Sequence, residues 1–310
     1  MIARAWARWE ALLATREGPG TLALVRILLG SVLVAHLAHM TRVGAVELVW
    51  TDRAHGGLRV LDAWPFPVAT PAVAYGMVAA TIVAGSAWTL GAWTRVSGVL
   101  TWAGFRWLAD LNGSAGGSYD EVVLDALFVL LWSGCGAAWS VDTWRAGRRG
   151  EAPPMVSAWP RWVLLGQLVT IYASTGLHKL SVSWLPVGPR DALWYILSQP
   201  DWQRRAMELP AQAFPLTQAA TALTWCWEVG APVLLLAAWA RRTAARGGAW
   251  RRWLGHVDLR GPWLAVGVLM HLSIEAIFEV GPFSFAMLAL YPAAWSPSEL
   301  RAYSPRPKNT

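Results

Sequence analysis

An all-α, polytopic transmembrane bundle of about eight spans with a cytoplasmic N-terminus is the fold class this sequence predicts, and three observations carry that reading. Of 310 residues, 55% are hydrophobic and 15% charged, whereas soluble globular domains carry about 25% charged residues. Tryptophan occurs 23 times, and tryptophan concentrates where a bilayer meets water. Apolar stretches of about 20 residues, the length a helix needs to cross the hydrocarbon core, recur along the chain. So much apolar surface also excludes a disordered chain.

The elements follow in order. Residues 1–20 form an amphipathic segment in which Trp6, Trp9, Leu12 and Leu13 share one side, with arginines interspersed, a pattern suited to a membrane surface. Apolar stretches then occupy 21–40, 72–93, 96–111, 122–140, 161–179, 217–240, 262–280 and 283–295, which defines a transmembrane domain over 21–295. Gly18, Pro19, Pro71, Pro160 and Pro262 stand at or just before starts, where proline costs a helix least. Arg106 and Asp110 interrupt the third stretch and the eighth is short, so these two are the weakest spans. The polar tail over 296–310 reads as disordered.

The net charge of +7 reports topology rather than a polyanionic partner. Only Lys179 and Lys308 are lysines; arginine supplies the rest, in clusters such as Arg148–Arg149, Arg241–Arg242 and Arg251–Arg252. With the N-terminus inside, 17 basic residues fall on the cytoplasmic side and seven outside, as the positive-inside rule demands. Nucleic acid is excluded as a partner on the same ground. The outer side then carries two long loops, 41–71 and 181–216, and a short glycine-rich one, 112–121, which places binding chemistry at the outer leaflet. Cys135 and Cys226 build no disulfide framework, and no cleavable signal peptide is evident, so the first span directs insertion.

Each ionisable group inside a span costs at least about 2.5–3.5 kcal/mol at mid-bilayer and needs a reason. The candidates are Arg26, Asp125, Lys179, Glu228, His271, Glu275 and Glu279. Lys179 closes the fifth span; a desolvated lysine can lose its proton and act as a base where an arginine cannot, although an end-of-span lysine also snorkels. His271, Glu275 and Glu279 recur every four residues and so share one helix face, facing the bundle or a wet cavity. Arg26 needs a buried acid, and Glu228 or Glu275 is the expected partner, giving a structural network of Arg26, Glu228, Glu275 and Glu279. His36 and His39 have helical spacing for a metal pair, but no third ligand is identifiable and no metal is expected. The sequence has no H-E-x-x-H, Walker loop or G-x-S-x-G.

Several segments, taken in order, carry a resemblance. They are Arg26 followed by Gly30; the Leu90-Gly91 to Arg95 turn; Trp139-Ser140-Val141-Asp142; Gln167 through Tyr172, Gly176, His178, Lys179 and Leu180, with Trp184 and Gly188; and His271 through Phe278, Gly281, Phe283-Ser284-Phe285 and Met287-Leu288-Ala289. Over about 21–295 the chain resembles the HTTM family, bacterial relatives of the vitamin K-dependent gamma-carboxylase, in its membrane domain. The resemblance implies a lysine base, Lys179, that deprotonates a reduced naphthoquinone, menaquinol or vitamin K hydroquinone. Reaction with oxygen then yields a stronger base, which takes a glutamate γ-proton so that carbon dioxide can add. It assigns Lys179, His178 and His271 to catalysis, and Tyr172, Gln167, Trp184 and Phe278 to the quinol pocket. Two departures stand out. Residues 111–119 hold no histidine where the carboxylase has one, and the sequence ends at Thr310 without the carboxylase's large extramembrane domain.

Three functions follow. The first is a quinol-dependent enzyme in a bacterial inner membrane, modifying a peptide or small substrate at its extracytoplasmic face. The second is a non-enzymatic maturation or binding protein for a secreted peptide or small exported protein, with Lys179 as an anchor or lipid contact; the resemblance bears on it because some stand-alone HTTM relatives help mature secreted peptide toxins. A transporter ranks last, because neither paired half-helices nor a repeated half is visible. Membrane lipid is a partner in all three.

Overall fold

The computed structural model describes residues 6, 10–11, 14–58, 69–112, 116–152 and 154–302. Much of the expected N-terminal segment, and 303–310 of the tail, lie outside them. The described chain is mostly helical, and it divides into two compact units, residues 1–164 with 281–310 and residues 165–280.

The first unit is organised around α1 (Gly20–Arg42), whose buried positions Leu22, Val25, Arg26, Leu29, Leu33 and Leu37 recur at helical spacing. A short helix α2 (Ala45–Trp50) follows. Helix α3 (Pro71–Leu90) starts where Pro71 needs no hydrogen-bond donor and the Thr70 hydroxyl caps Val73 N. It packs on α1 and on α4 (Thr94–Leu111). Small residues make these approaches possible: a Cβ at Gly30 would strike the Thr89 hydroxyl, and one at Gly104 the Thr81 hydroxyl. Arg106 and Asp110, expected to interrupt α4, instead pair with one another one turn apart, so the helix is continuous to Leu111. Helix α5 (Ser118–Leu131) and the short α6 (Val141–Gly147) follow. The strands β1 (Arg16–Glu17) and β2 (Val156–Ser157) pair antiparallel. Beside them the buried Arg161 guanidinium binds the Glu17 carboxylate at 2.8 Å and the Ala293 carbonyl at 3.2 Å. The unit closes with α13 (Phe283–Leu290) and α14 (Pro297–Ala302).

The second unit holds the C-terminal part of α7 (Trp159–His178), then α8 (Ala192–Leu197), α9 (Phe214–Val229), α10 (Val233–Arg242), α11 (Ala249–His256) and α12 (Arg260–Ile277).

By length and composition α1 and α3 are apolar and long enough to cross a membrane, and a third span follows if the bent pair Ala211–Val229 and Val233–Arg242 counts as one. Four expected boundaries shift. The stretch over 122–140 is helical only to Leu131, because Trp132-Ser133-Gly134 turns the chain. The stretch over 217–240 bends by 44° at Gly230-Ala231-Pro232, where proline removes a backbone donor and crowds the preceding turn. The seventh ends at Ile277, short of Glu279. The tail, expected to lack structure, opens as helix α14, and Glu299 accepts hydrogen bonds from Ser296 N and Oγ at its start.

Three of the segments singled out from the sequence converge in the first unit. Arg26, with no exposed surface, donates to the carbonyls of Cys135 (2.9 Å) and Trp139 (2.6 Å). Asp142 accepts from Trp93 N (2.9 Å), Thr94 N (2.8 Å) and Thr94 Oγ1 (2.7 Å), which supplies the cap α4 otherwise lacks. Gly91, at φ 69°, lies against both: a Cβ there would meet Ser140 and the Arg26 guanidinium. Trp93 and Trp139 both hold φ 46°, a left-handed conformation that L-residues adopt only when their surroundings impose it.

Arg26→Ala strands two carbonyls, and is expected to cost about 3 kcal/mol, read as a lower thermal midpoint in detergent. At Asp142, burial on its own raises the carboxyl pKa, but the hydrogen bonds from Thr94 and Trp93 and the nearby Arg145 charge outweigh it and hold the group below the usual carboxylate range. A depressed folded value means stability that is present above the ordinary carboxylate range and is lost as pH falls through that folded value. The midpoint should therefore drop below about pH 4, and Asp142→Asn should flatten that dependence; an unchanged pH profile in the variant would count against the assignment.

Candidate functional site

Lys179, Glu228, His271, Glu275 and Glu279, the in-span ionisable residues of the second unit, fall into three clusters on or beside α7, α9 and α12. In the first, Lys179 follows the last turn of α7 and its Nζ lies 2.5 Å from both carboxylate oxygens of Glu228 on α9. The ammonium also lies over the Trp184 indole, 4.5 Å from its centroid. The lysine side chain is 20% exposed and that of Glu228 7%, so the carboxylate is buried and the ammonium reaches the edge. Gly176 makes the approach possible, since a Cβ there would come 2.9 Å from both Glu228 Cβ and Val229 N. The loop after Lys179 is tied to the same stripe of α9: Gln218 Nε2 donates to the Pro189 carbonyl (2.7 Å), and the Thr221 hydroxyl accepts from Leu193 N (3.2 Å). Residues 218, 221 and 228 fall at helical spacing, so one face of α9 sets where Lys179 sits.

Two turns earlier on α7, Tyr172 meets His271 of α12, with 2.5 Å between the phenol oxygen and Nε2. Both are buried, as are Trp227 and Trp263 beside them. The two indoles stack at 4.2 Å, and each N–H donates to the other residue's carbonyl, Trp227 Nε1 to Trp263 O at 2.8 Å and Trp263 Nε1 to Trp227 O at 3.1 Å. Tyr172 stands edge-on to both rings at 4.6 and 5.3 Å. This cluster bolts α7, α9 and α12 together behind the Lys179–Glu228 pair.

The third cluster corrects the expected stripe. Helix α12 ends at Ile277, and Phe278 is extended, so Glu279 leaves the face it was predicted to share with His271 and Glu275. Arg204 gathers the two acids instead, at 2.7 Å to Glu275 and 3.5 Å to Glu279, and also donates to the Phe278 carbonyl at 3.3 Å. Gln203 and Phe278 form a single β-bridge, so this end of the outer loop is sewn to the end of α12.

The expected network of Arg26, Glu228, Glu275 and Glu279 is therefore three separate arrangements: carbonyls for Arg26, a lysine for Glu228, and Arg204 for the two other glutamates. Electroneutrality was the available signal, since Glu228 is an in-span acid and Lys179 the one lysine at a span end. Arg204 had no such signal, because its partners lie about 70 residues away in the chain. Among the remaining sequence candidates, His178 is exposed and its ring nitrogen Nδ1 lies 2.7 Å from the Ser174 carbonyl. Gln167 is half-buried on α7, and Phe278 takes part through its backbone. In the first unit, His39 pairs with Arg42 (3.2 Å), whereas His36 meets the Tyr119 hydroxyl (3.2 Å). His36, Asn112, Tyr119 and Asp120 help line a cavity of about 20 Å³, room for about one water. An imidazole thus stands beside the loop that carries no histidine, supplied by α1.

A family model, the HTTM domain, matches residues 15–242, more than half of the chain. The match takes in Arg26, Asp142, Tyr172, Lys179 and Glu228, and ends before α11 and α12. No curated protein and no solved structure matches the chain.

Lys179→Met and Glu228→Leu should each lower the thermal midpoint, because each leaves a partly buried charge without its partner. The double variant should lose less than the sum of the two, by about 1–3 kcal/mol of coupling. Strict additivity in that cycle would mean the pair does not exist in the folded protein.

Proposed function

The chain belongs to the HTTM family, and we propose that it is a quinol-dependent, gamma-carboxylase-like membrane enzyme that uses Lys179 as its base. In this reading it crosses a bacterial inner membrane about eight times with its N-terminus in the cytoplasm, and acts on a peptide or small substrate at the outer face. Residues 21–295 form its membrane domain, with an amphipathic segment before and a polar tail after.

The observation that carries the proposal is the Lys179–Glu228 pair under the Trp184 ring. A flat indole beside a lysine suits a naphthohydroquinone, which Trp184 and Lys179 would hold between them. When bound, the quinol supplies a weakly acidic hydroxyl and two reducing equivalents. Lys179 would hand one proton from Nζ to the Glu228 carboxylate, which leaves a neutral amine able to accept a substrate hydroxyl proton. An arginine could not do this, because its guanidinium stays protonated. Trp184 would hold the ring, and the buried Glu228 would store the proton away from water. Tyr172, His271, Trp227 and Trp263 are packed against one another, so they would support the helices that carry this pair rather than line an open pocket.

One observation favours a second reading. Leu180, Val182 and Val187, immediately after Lys179, are exposed, and such an apolar rim suits a non-enzymatic protein that grips a secreted peptide. Oxygen-dependent oxidation of added menaquinol by the purified protein separates the two. The enzyme reading expects turnover that falls at least about 100-fold in Lys179→Ala with the fold retained, and a quinone in the lipid extract of the wild type. Full activity in Lys179→Arg would overturn the base role, and co-purification of a small exported protein with no quinone turnover would support the second reading.

A further inference from the structure

Between α10 and α12 the second unit carries a surface that the proposed chemistry does not use. Six arginines occur from Arg241 to Arg260, with Asp258 as the sole acid among them. That acid is already occupied, at 2.8 Å from Arg260 Nε and 3.4 Å from Arg241. Helix α11 buries none of its side chains. Trp250 is 76% exposed and Trp253 52%, set edge-to-face at 5.9 Å on one face of the helix three residues apart. Arg252 on the same helix and Arg246 just before it are exposed as well.

The position of α11 relative to the bilayer follows from its ties to α10. Arg251 of α11 lies over the Trp239 ring of α10 at 5.0 Å, and Arg241 of α10 donates to the Gly255 carbonyl at 3.4 Å. Helix α10 is the second half of the bent apolar pair that ends at Arg242. Where that pair is a membrane span, a helix clipped to its last turn sits at the depth where hydrocarbon gives way to headgroups. There, exposed indoles are stable and guanidiniums meet phosphates. The pattern of Trp on one side and Arg on the other is that of a helix lying in the interface.

We propose that α11, with Arg246 and Arg252, is a docking site for an anionic phospholipid of the leaflet that meets the end of α10. Trp250 and Trp253 enter the glycerol and upper acyl region, and the two guanidiniums bind the phosphodiester oxygens through paired N–H donors, where no choline cation opposes them. A protein or nucleic-acid partner fits less well, because three exposed indoles, counting Trp239, cluster at the depth of the bilayer surface. The site is independent of the Lys179 chemistry, so either can fail alone.

The test is lipid retention by the full-length protein in native mass spectrometry, with phosphatidylglycerol compared against phosphatidylcholine. Wild type should retain phosphatidylglycerol at about tenfold lower lipid concentration than phosphatidylcholine. Arg246→Ala with Arg252→Ala should abolish that preference, and Trp250→Ser with Trp253→Ser should weaken retention of both lipids. All these side chains are exposed, so helicity and size-exclusion profile should stay as in wild type. Arg148→Ala with Arg149→Ala removes an equally exposed basic pair elsewhere and should leave the preference intact. Equal retention of the two lipids by wild type would overturn the proposal, as would loss of the preference in the Arg148/Arg149 control. Displacement of the retained lipid by millimolar glycerol phosphate would overturn it too, by showing a site for free phosphate esters.

Discussion

A charge held among apolar helices must be neutralised where it stands, because water is not there to do it and the cost of leaving it bare is several kcal/mol. That constraint arranges both units of this chain. The two terminal nitrogens of Arg26 donate to carbonyls at the turn after α5, Arg161 binds Glu17, and Lys179 binds Glu228. In each case the two sides come from segments distant in sequence, so the contact that meets the charge also ties those segments together. The helices supply apolar faces that tolerate many arrangements; the charged groups select among them.

The same logic explains why the candidate site lies where it does. A glycine at 176 lets α7 approach α9, the approach buries Glu228, and the buried carboxylate then holds the lysine that follows the last turn of α7. The aromatic cluster of Tyr172, His271, Trp227 and Trp263 fills the space behind. Its two indoles satisfy their own donors through each other's carbonyls, and all four side chains are buried. The more accessible edge is the one where the Lys179 ammonium lies over the Trp184 ring. The proposed enzyme reading rests on that edge, where a neutral, weakly acidic ring compound would meet an indole and a lysine paired with a buried carboxylate.

Hydropathy and charge made much of this legible in advance. Every apolar stretch read from the sequence contains a helix in the structure, and the convergence of Arg26, Gly91 and Asp142 gives a common reason for three segments that looked separate along the chain. The errors share a cause. Residue type points Arg26 to an acid and Glu275 to Arg26, whereas Arg26 binds backbone carbonyls and Glu275 binds Arg204. Helix ends were read from hydropathy, which does not register a turn such as Trp132-Ser133-Gly134 or the extended Phe278 that takes Glu279 out of its stripe.

The sequence by itself determined that this is an apolar, helical membrane-family chain, that its excess positive charge lies in the segments between apolar stretches, and that Lys179 is the lysine to account for. These are properties of composition and spacing, which survive without coordinates. Only the tertiary structure decided which charge answers which, where Pro232 and Gly230 bend an apolar run, and that a short tryptophan–arginine helix is clipped to its end. The physical reason is range. Hydropathy is a sum over neighbours in the chain, whereas neutralising a buried charge or docking an exposed indole depends on distances of a few ångströms between residues that the chain keeps far apart.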